Sequence, residues 1–436
     1  MNVRHLSFRQ MWNLNFGFFG VQIAYALQSA NISRIFATLG ADPHQLSFFW
    51  ILPPLMGMLV QPFIGKWSDR TWNRLGRRKP YLLAGSVVAV LVMLLLPNAG
   101  SISFSNRIML GLNGAMWFGL FSLIFLDTSI NVAMQPFKMM VGDMVSEEQK
   151  AKAYSIQSFL CNAGSFAGYL FPIFFTWIGI ANTAPEGVIP DSVIWSFYCG
   201  AAILMACVLY TFLTVKEMPP KEYAEFHGMK EEDSGEGFVK LLLKAPKVFW
   251  TVSLVQFFCW ASFLLLWTYT NGAIACSCWN STDVKSAEYQ AAGNWVGVLF
   301  AVEAVAAMLW AVVIPKFKTL SAAYSVSLVL GAVGFASVFF FHDRYLLFLS
   351  FSLIGFAWAA MLALPFTFVT NALKDHIGTY LGLFNCAICL PQIVAAALGG
   401  LVLRVVGGVQ LNMFLVAALL MALGAFSVIL IKNKNN

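Results

Sequence analysis

The stretch NGAMWFGLFSLIFLDTSINVAMQPFKMMVGD, from Asn113 to Asp143, is typical of a membrane-spanning helix and carries one acid, Asp127, near its middle. An Asp at the centre of a spanning helix costs roughly 2.5 to 3.5 kcal/mol on insertion scales, so such residues usually face a protein interior or a water-filled cavity. At about 100° per residue, Asn131 and Gln135 follow Asp127 on the same helix face. This face is therefore predicted to be polar and to point away from lipid.

The acid itself is the first candidate functional residue. Burial away from water disfavours the charged form of a carboxyl and favours its protonated form. We therefore interpret Asp127 as the proton-coupling site of a transporter. The alternative is a structural role, in which Asp127 caps a neighbouring helix break or pairs with an Asn. Acids are rarely retained within spans without a role, which favours the first interpretation.

The composition of the whole chain indicates a membrane protein. Of its 436 residues, 59% are hydrophobic and 11% are charged, against about 25% charged in an average soluble protein. A helix of about 20 apolar residues crosses a bilayer. Twelve segments fit this expectation: 8–30, 44–65, 81–99, 107–131, 153–178, 192–215, 248–271, 293–314, 322–341, 345–370, 378–402 and 409–431.

Basic residues are distributed unevenly between these segments. If the N-terminus is cytoplasmic, 22 of the 27 Lys and Arg residues lie on the inner side, and the outer side keeps only Arg34, Arg107, Lys285, Arg344 and Arg404. Cytoplasmic loops carry such an excess. We therefore expect a multi-pass protein of the cell membrane, such as a bacterial inner membrane, with both termini cytoplasmic. The net charge of +7 reflects this topology, so the expected environment is the lipid bilayer and no nucleic-acid partner is implied.

The polar stretch 216–247, with EEDSGEG at its centre, separates the sixth segment from the seventh. It is predicted to be a cytoplasmic linker, flexible in the middle, between six-helix bundles at 1–215 and 248–436. The predicted fold class is thus an all-α membrane protein with twelve transmembrane helices. The sequence contains no metal-ligand cluster, cofactor motif or catalytic constellation, so an enzyme is not expected.

Polar and aromatic stripes supply candidate contacts for a ligand. In the first segment Gln22 and Tyr25 lie on one stripe, with Gln28 at its edge. Such groups would remain unsatisfied in lipid, and they suit hydrogen bonding to a hydroxylated ligand. In the seventh segment Trp260 and Trp267 share a face, and aromatic rings pack against the C–H surfaces of sugars. Interhelical hydrogen bonds and ordinary packing are the alternatives.

Two more candidates lie in the second half of the chain. Glu303, in the eighth segment, is the other acid placed within the membrane, and it is expected either to bind sugar hydroxyls or to carry a second proton. Asn385, in the eleventh segment, shares a face with Gln392 beside Pro391, where backbone groups can line a cavity. With Asn131 and Gln135, these two residues complete the candidate substrate-binding set.

The loop GKWSDRTWNRLGRRKPY, from Gly65 to Tyr81, resembles the signature loop of the major facilitator superfamily. The pattern G-x-x-x-D-R is followed by G-R-R-K, with five additional residues, Thr71 to Leu75, between them. This interrupted form is similar to that of sugar symporters of the glycoside-pentoside-hexuronide type. The resemblance implies a role in gating, while a merely basic membrane anchor is the alternative. The candidate gating residues are Asp69, Arg70, Arg77, Arg78 and Asp143.

Other stretches extend the resemblance to plant sucrose transporters and their animal relatives over nearly the whole chain: GVQIAYALQ (20–28), LDTSINVAMQP (126–136), LIGFAWAAMLALPF (353–366) and LGLFNCAICLPQIVAAALGG (381–400). The resemblance implies the major facilitator fold, with two six-helix halves, and places Asp127 at that family's proton-carrying Asp. It also implies proton-coupled uptake of a disaccharide such as sucrose, maltose or a related α-glucoside, without a cofactor. A monomer is expected.

Two departures from the plant pattern leave the sugar open. Gln135 is followed by Pro-Phe-Lys where the plant proteins have Gly-Pro-x-Arg, and the seventh helix ends in Trp-Thr-Tyr-Thr, from Trp267, instead of an Asp-rich segment. Three alternatives also stay open. They are a sodium-coupled glycoside symporter, which would call for more acids, a sugar uniporter or exporter, and a membrane-bound sugar sensor that binds without transport.

Overall fold

The structure, a computed structural model, describes residues 5–102, 108–219, 242–372 and 377–431. Its α-helices are α1 Phe8–Thr38, α2 Pro43–Phe49, α3 Leu52–Arg70, α4 Lys79–Leu95, α5 Gly114–Met144, α6 Glu147–Trp177, α7 Asp191–Thr214, α8 Lys247–Trp279, α9 Ala287–Val313, α10 Leu320–Phe340, α11 Leu347–Ala372, α12 Ile377–Val405 and α13 Met413–Ser427. In the described ranges, eleven spans are long and apolar enough to cross a membrane. The more polar α1 adds the twelfth, and the predicted all-α fold is confirmed.

Helix α1 is longer than the hydropathy pattern indicates. It begins after Ser7, whose side chain accepts a hydrogen bond from the Gln10 backbone N–H, and it continues to Thr38, eight residues past the predicted end. Arg34, which the sequence analysis places on the outer side beyond the end of the first span, therefore lies within α1, and only 1% of its surface is exposed. The apolar pattern ends early because the last turns of α1 face protein groups and not lipid.

The second span is broken, which the prediction of one helix over 44–65 missed. Helix α2 begins after Asp42, whose carboxylate accepts from the His44 backbone N–H at 2.8 Å, and ends at Phe49. Helix α3 starts at Leu52 and contains Pro53 and Pro54 in its first turn. Proline lacks a backbone N–H and its ring clashes with the preceding turn, so a helix restarts there more easily than it passes through.

Helix α5 holds the stretch that contains Asp127. The side chain of Asn113 accepts from the Met116 backbone N–H at 2.8 Å and so caps the first turn. The helix ends at Met144, thirteen residues beyond the predicted end at Asn131. The polar face of α5 is covered by neighbouring helices, so the helix continues where the apolar pattern alone indicates an end.

The helices form two bundles that meet along one seam. Helices α1 to α7 pack on one another, as do α8 to α13, and the seam is formed mainly by α6 with α9 and by α12 with α2 and α3. We call the membrane face that holds Ser7 and the α3–α4 loop the terminal side, and the opposite face the far side. On the far side, Nδ1 of His44 lies 3.3 Å from the Gly400 carbonyl oxygen across the seam.

Toward the terminal side, the seam carries a basic residue. Lys138, three helical turns beyond Asp127 on α5, is exposed although it lies within the span. Its ammonium group is within electrostatic range of Cys161 on α6 and Cys389 on α12, which belong to opposite bundles. The far-side contact of His44 with Gly400 makes this a state in which the bundles meet on the far side.

The loop between α3 and α4 is held against the end of α5. The Arg78 guanidinium pairs with the Asp143 carboxylate at 2.8 Å and donates to the Ser68 hydroxyl, while Arg77 Nε donates to the Ser68 carbonyl at 3.3 Å. Both arginines are buried. The backbone of Asp69 and Arg70 lies in α3, but the side chains of these two candidate gating residues lie outside the described part of the structure.

Glu217, at the start of the predicted linker, holds the same loop from the other side. Its carboxylate accepts from the backbone N–H groups of Arg77, Arg78 and Lys79, at 2.6 to 3.0 Å. These groups precede or begin α4, where free N–H groups and the helix dipole favour a negative charge. Most of the predicted linker, 220–241, lies outside the described residues.

We predict that Glu217→Ala lowers the thermal stability of the purified protein by several degrees. Removing the carboxylate leaves three backbone N–H groups without an acceptor, and a lost charged cap of this kind costs about 1–3 kcal/mol. The melting temperature in detergent measures the effect. Glu186→Ala is the matched control, because Glu186 and its partner Lys285 are both exposed. Equal melting temperatures for the two variants would contradict the role given to Glu217.

Candidate functional site

The centre of the candidate site is a contact between α5 and α1. Gln28 Nε2 donates a hydrogen bond to Asp127 Oδ1, and both side chains are 2% exposed. The second oxygen of Asp127 and the side-chain oxygen of Gln28 have no hydrogen-bond partner among the described residues. A buried polar atom without a partner is costly. Gln28 and Asp127 are therefore expected to bind a proton or a ligand in at least one state of the protein.

The polar face of α5 continues from Asp127 toward the terminal side. Asn131 Nδ2 donates to the Asp127 carbonyl at 2.8 Å, and Asn131 Oδ1 accepts from Gln61 Nε2 of α3 at 2.7 Å. Gln135 follows one turn later and is half-buried. Gln61 was not singled out in the sequence. Its signal is an amide inside the apolar run LVQPF, whose partner only the packing of α3 on α5 reveals.

The stripe on α1 divides between two surroundings. Gln22 is buried against α6, where the Ser165 hydroxyl approaches its side-chain oxygen at 3.5 Å. Tyr25, one turn further, is half-buried and lies within electrostatic range of both Asp127 and Cys389 of α12. Gln22 therefore faces a helix contact within one bundle, while Tyr25 faces the seam beside the acid.

An aromatic cluster lines the opposite bundle. The ring of Trp358 on α11 lies 4.9 to 5.9 Å, centroid to centroid, from Trp260, Phe263 and Trp267 of α8. The Trp260 indole nitrogen is buried and has no acceptor among the described residues. In the sequence, Trp358 belongs to the stretch GFAWAAM, and no pattern within its own helix indicates that it packs against α8.

The aromatic cluster also reaches the far-side seal. Trp267 is stacked on Trp50, which precedes α3, with ring centroids 6.1 Å apart. The Trp267 carbonyl accepts from the Ser33 hydroxyl of α1 at 3.2 Å, and the same hydroxyl accepts from Trp50 Nε1 at 2.8 Å. Trp267 thus covers the candidate site on the far side in this state, whereas Trp260 lies two helical turns further from the far side.

The acid and the aromatic cluster lie at the same depth in the membrane. Helices α1 and α8 run in the same direction, and Ser33 is level with Trp267. At about 1.5 Å per residue, Trp260 lies about 10 Å below that level and Gln28 about 7 Å below it. Gln28 contacts Asp127. Two oxygen atoms on one bundle and one N–H donor on the other therefore lie at similar depths, and none of the three has a hydrogen-bond partner among the described residues.

The remaining candidates lie around this level. Glu303 on α9 is buried, and the Tyr169 hydroxyl of α6 lies within electrostatic range of it across the seam. Tyr169 in turn lies 3.5 Å from the Ser29 hydroxyl of α1. Asn385 on α12 is half-buried and donates only to Cys389 of its own helix, at 3.8 Å. Each bundle thus contributes one buried acid to the seam.

The residues between the two bundles have the composition of an organic-ligand site. No cluster of three or more metal-ligating His, Cys, Asp or Glu side chains occurs among the described residues. Aromatic faces, amides and single carboxyls instead surround the seam, which is the mixture expected for a concave ligand site. The candidate gating residues lie apart from these groups, at the end of α3, in the α3–α4 loop and at the terminal-side end of α5.

Known proteins of three kinds are similar to this chain over parts of their length. It is 28% identical to the proton-associated sugar transporter A of Homo sapiens, over 38% of this chain and 22% of that one. It is 26% identical to the general alpha-glucoside permease of Schizosaccharomyces pombe, over 47% of this chain and 37% of that one. These matches span well under half of either relative. The sucrose transport protein SUT5 of Oryza sativa subsp. indica is 24% identical, over 87% of this chain and 79% of that one.

Solved structures share the fold at low sequence identity. The nucleoside transporter NupG aligns with a TM-score of 0.68 at 14% identity, over 98% of this chain and 100% of that one. The partially occluded, inward-open xylose transporter XylE from E. coli aligns with a TM-score of 0.63 at 15% identity, over 96% of this chain and 94% of that one. At these identities the likeness shows the fold alone.

The family follows from a sequence model together with this architecture. The model of the Major Facilitator Superfamily matches residues 14–277, which is more than half of the chain and includes the signature loop, the Asp127 helix and α8. In the described residues, eleven apolar spans and the more polar α1 form two bundles that meet along one seam, which agrees with that match. The chain belongs to the Major Facilitator Superfamily.

Proposed function

We propose that this protein is a secondary active transporter that couples proton entry to uptake of a disaccharide, such as sucrose, maltose or a related α-glucoside, by alternating access. The observation that carries the proposal is Asp127, a buried carboxyl with one unpartnered oxygen, level with an aromatic cluster on the opposite bundle. In this fold, two bundles rock around a site near the membrane midplane.

The chemistry around the seam supports a sugar as the cargo. A sugar presents C–H faces that pack on aromatic rings, and hydroxyls that both donate and accept hydrogen bonds. The unpartnered Trp260 N–H and Gln28 oxygen offer one donor and one acceptor at the same level. The relatives named above are described as sugar, α-glucoside and sucrose transporters, which agrees with this chemistry.

The surroundings of Asp127 support proton coupling. A single neutral amide cannot compensate a carboxylate that is removed from water, because burial of an unpaired charge is far more costly than burial of a neutral acid. Binding of a proton removes that charge, so the loaded carrier can close around its cargo at lower cost. Each proton that enters then adds about 2.3 kcal/mol per 100 mV of membrane potential.

Further residues have supporting roles in this proposal. Tyr25, Asn131, Gln135 and Asn385 would bind sugar hydroxyls or hold the residues that do, and Gln22 would fix α1 against α6. Glu303 would accept hydrogen bonds from the sugar or carry a second proton. The loop residues Asp69, Arg70, Arg77 and Arg78, with Asp143, would hold the helix ends of the first bundle together while the bundles part.

The membrane orientation and assembly are part of the same proposal. The terminal side would be cytoplasmic, as the distribution of basic residues indicates, so the present state would face inward. The bundles would comprise 1–215 and 248–436, joined by the linker 216–247. A monomer would suffice, because all the residues invoked here lie on one chain.

We predict that Asp127→Asn abolishes uphill accumulation of sugar but spares exchange. The Asn variant is neutral in both transport directions, so it can cross with sugar but cannot carry a proton. Uptake of labelled sucrose, maltose and trehalose into proteoliposomes, with and without an imposed pH gradient, measures both activities. The control is Asp191→Asn, an exposed acid at the start of α7. Uphill uptake that persists in Asp127→Asn, or that follows a sodium gradient alone, would contradict proton coupling.

We predict that Trp260→Phe weakens sugar binding about threefold to tenfold, which is the effect of losing one neutral hydrogen bond. Trp260→Ala should weaken binding further, because the ring face is lost as well. Isothermal titration calorimetry of the purified protein gives the dissociation constants. Trp250→Ala on the same helix is the control, since Trp250 is 48% exposed on the outer surface. Unchanged affinity in both Trp260 variants would leave packing as the role of this residue.

A further inference from the structure

Arg34 joins the two bundles on the far side of the membrane. Its Nε donates to Gln290 Oε1 at 2.7 Å and its Nη1 donates to Asn294 Oδ1 at 2.8 Å, both on α9. Its Nη2 donates to Asn182 Oδ1 at 2.9 Å, in the loop after α6. One side chain of α1 thus contacts the first bundle and the second at once, and it is only 1% exposed.

The partners of Arg34 are themselves held in place. Asn294 Nδ2 donates to Thr176 Oγ1 of α6 at 2.7 Å, which is a second hydrogen bond across the seam. The Ser192 hydroxyl donates to Asn182 Oδ1 at 2.6 Å. Helix α9 comes close enough that a Cβ at Gly293 would lie 2.7 Å from Arg34 Cδ and Nε. The Arg34 guanidinium is therefore closely surrounded by groups of both bundles.

Among the described residues, every acceptor of Arg34 is a neutral amide. A buried guanidinium normally pairs with a carboxylate, because neutral groups only partly replace its lost hydration. Each of the three guanidinium nitrogens donates one hydrogen bond to an amide, but the amides carry no charge that would balance that of Arg34. The contact of Arg34 with three neutral amides is therefore expected to be weaker than a buried ion pair, so that it can both form and break.

A cavity lies next to the contact. Gln290 and Thr38 line a cavity of about 540 Å³ that is open on the far side and is bounded by both bundles. The hydroxyl of the neighbouring residue Ser33 donates a hydrogen bond to the carbonyl of Trp267, which covers the candidate sugar site on the far side. A small separation of α1 from α9 would therefore return the Arg34 charge to water and move Trp267 away from the candidate site at the same time.

We propose that Arg34 is the latch of the far-side gate, and that its neutral acceptors set the balance between the closed and open states. The inference rests on the alternating access proposed above and holds for any cargo and any coupling ion. A carboxylate in place of one amide would complete a buried ion pair and over-stabilise the closed state. Removal of the guanidinium would favour the open state.

The test measures the width of the far-side opening in the full-length protein. Spin labels are attached at Ser101→Cys and His342→Cys, which are exposed far-side positions on opposite bundles away from the latch. The eight native cysteines are replaced first. Double electron–electron resonance in nanodiscs, without sugar and without a proton gradient, then gives the ratio of long to short label distances.

Arg34→Gln is expected to raise the long-to-short ratio at least about tenfold, which is the effect of losing one or more hydrogen bonds to a charged group. Asn294→Asp is expected to lower the ratio below that of the parent. Arg404→Gln, the same change at an exposed far-side arginine of α12, should match the parent.

The two latch variants change the ratio in opposite directions, which keeps the test decisive if one of them does not fold. An unchanged ratio in Arg34→Gln would overturn the latch, and so would a raised ratio in Asn294→Asp. Because the measurement uses neither sugar nor a gradient, failure of the proposed sugar transport would leave its result standing.

Discussion

The structure depends on how a membrane protein places polar groups where no water compensates them. Asp127 is the strictest case, since its carboxyl is buried between α1 and α5 with a single amide donor, and one of its oxygens has no partner. Other polar and aromatic groups lie around this acid. Amides of α3 and α5 continue its face, and the aromatic rings of α8 and α11 lie across the seam at the same level.

Arg34 on α1 and Asp127 on the neighbouring helix α5 are both buried ionisable groups, and the structure stabilises them in different ways. Each nitrogen of the Arg34 guanidinium donates a hydrogen bond, but its partners among the described residues carry no opposite charge, so we propose that it is released to water when the bundles part. The carboxyl of Asp127 is only half satisfied, so it can be neutralised by a proton. In the proposed mechanism, Arg34 responds to separation of the bundles and Asp127 responds to binding of a proton. A carrier needs both responses, because its gate has to follow the occupancy of its site.

Much of the fold follows from hydropathy and charge, whereas the pairing of polar groups does not. Twelve apolar segments and a signature loop are enough to predict two bundles, and the position of Asp127 inside a span marks it as a candidate. The break between α2 and α3 depends on Pro53 and Pro54 and is readable in principle. Arg34 is placed in a loop by any rule that treats charge as exposed, because its acceptors lie more than 100 residues away in sequence. Glu217 and Trp358 are hidden for the same reason, since only tertiary packing brings α4 and α8 to them.

The central claim is that Asp127 carries a proton while it is buried. Infrared difference spectroscopy tests it directly, by comparing the parent protein with Asp127→Asn at neutral pH in the C=O stretching region of protonated carboxyls. We expect a protonated-carboxyl band in the parent, shifted by sugar binding and missing from the variant. Identical spectra in this region, with the Asp127 signal found only among ionised carboxylates, would contradict it.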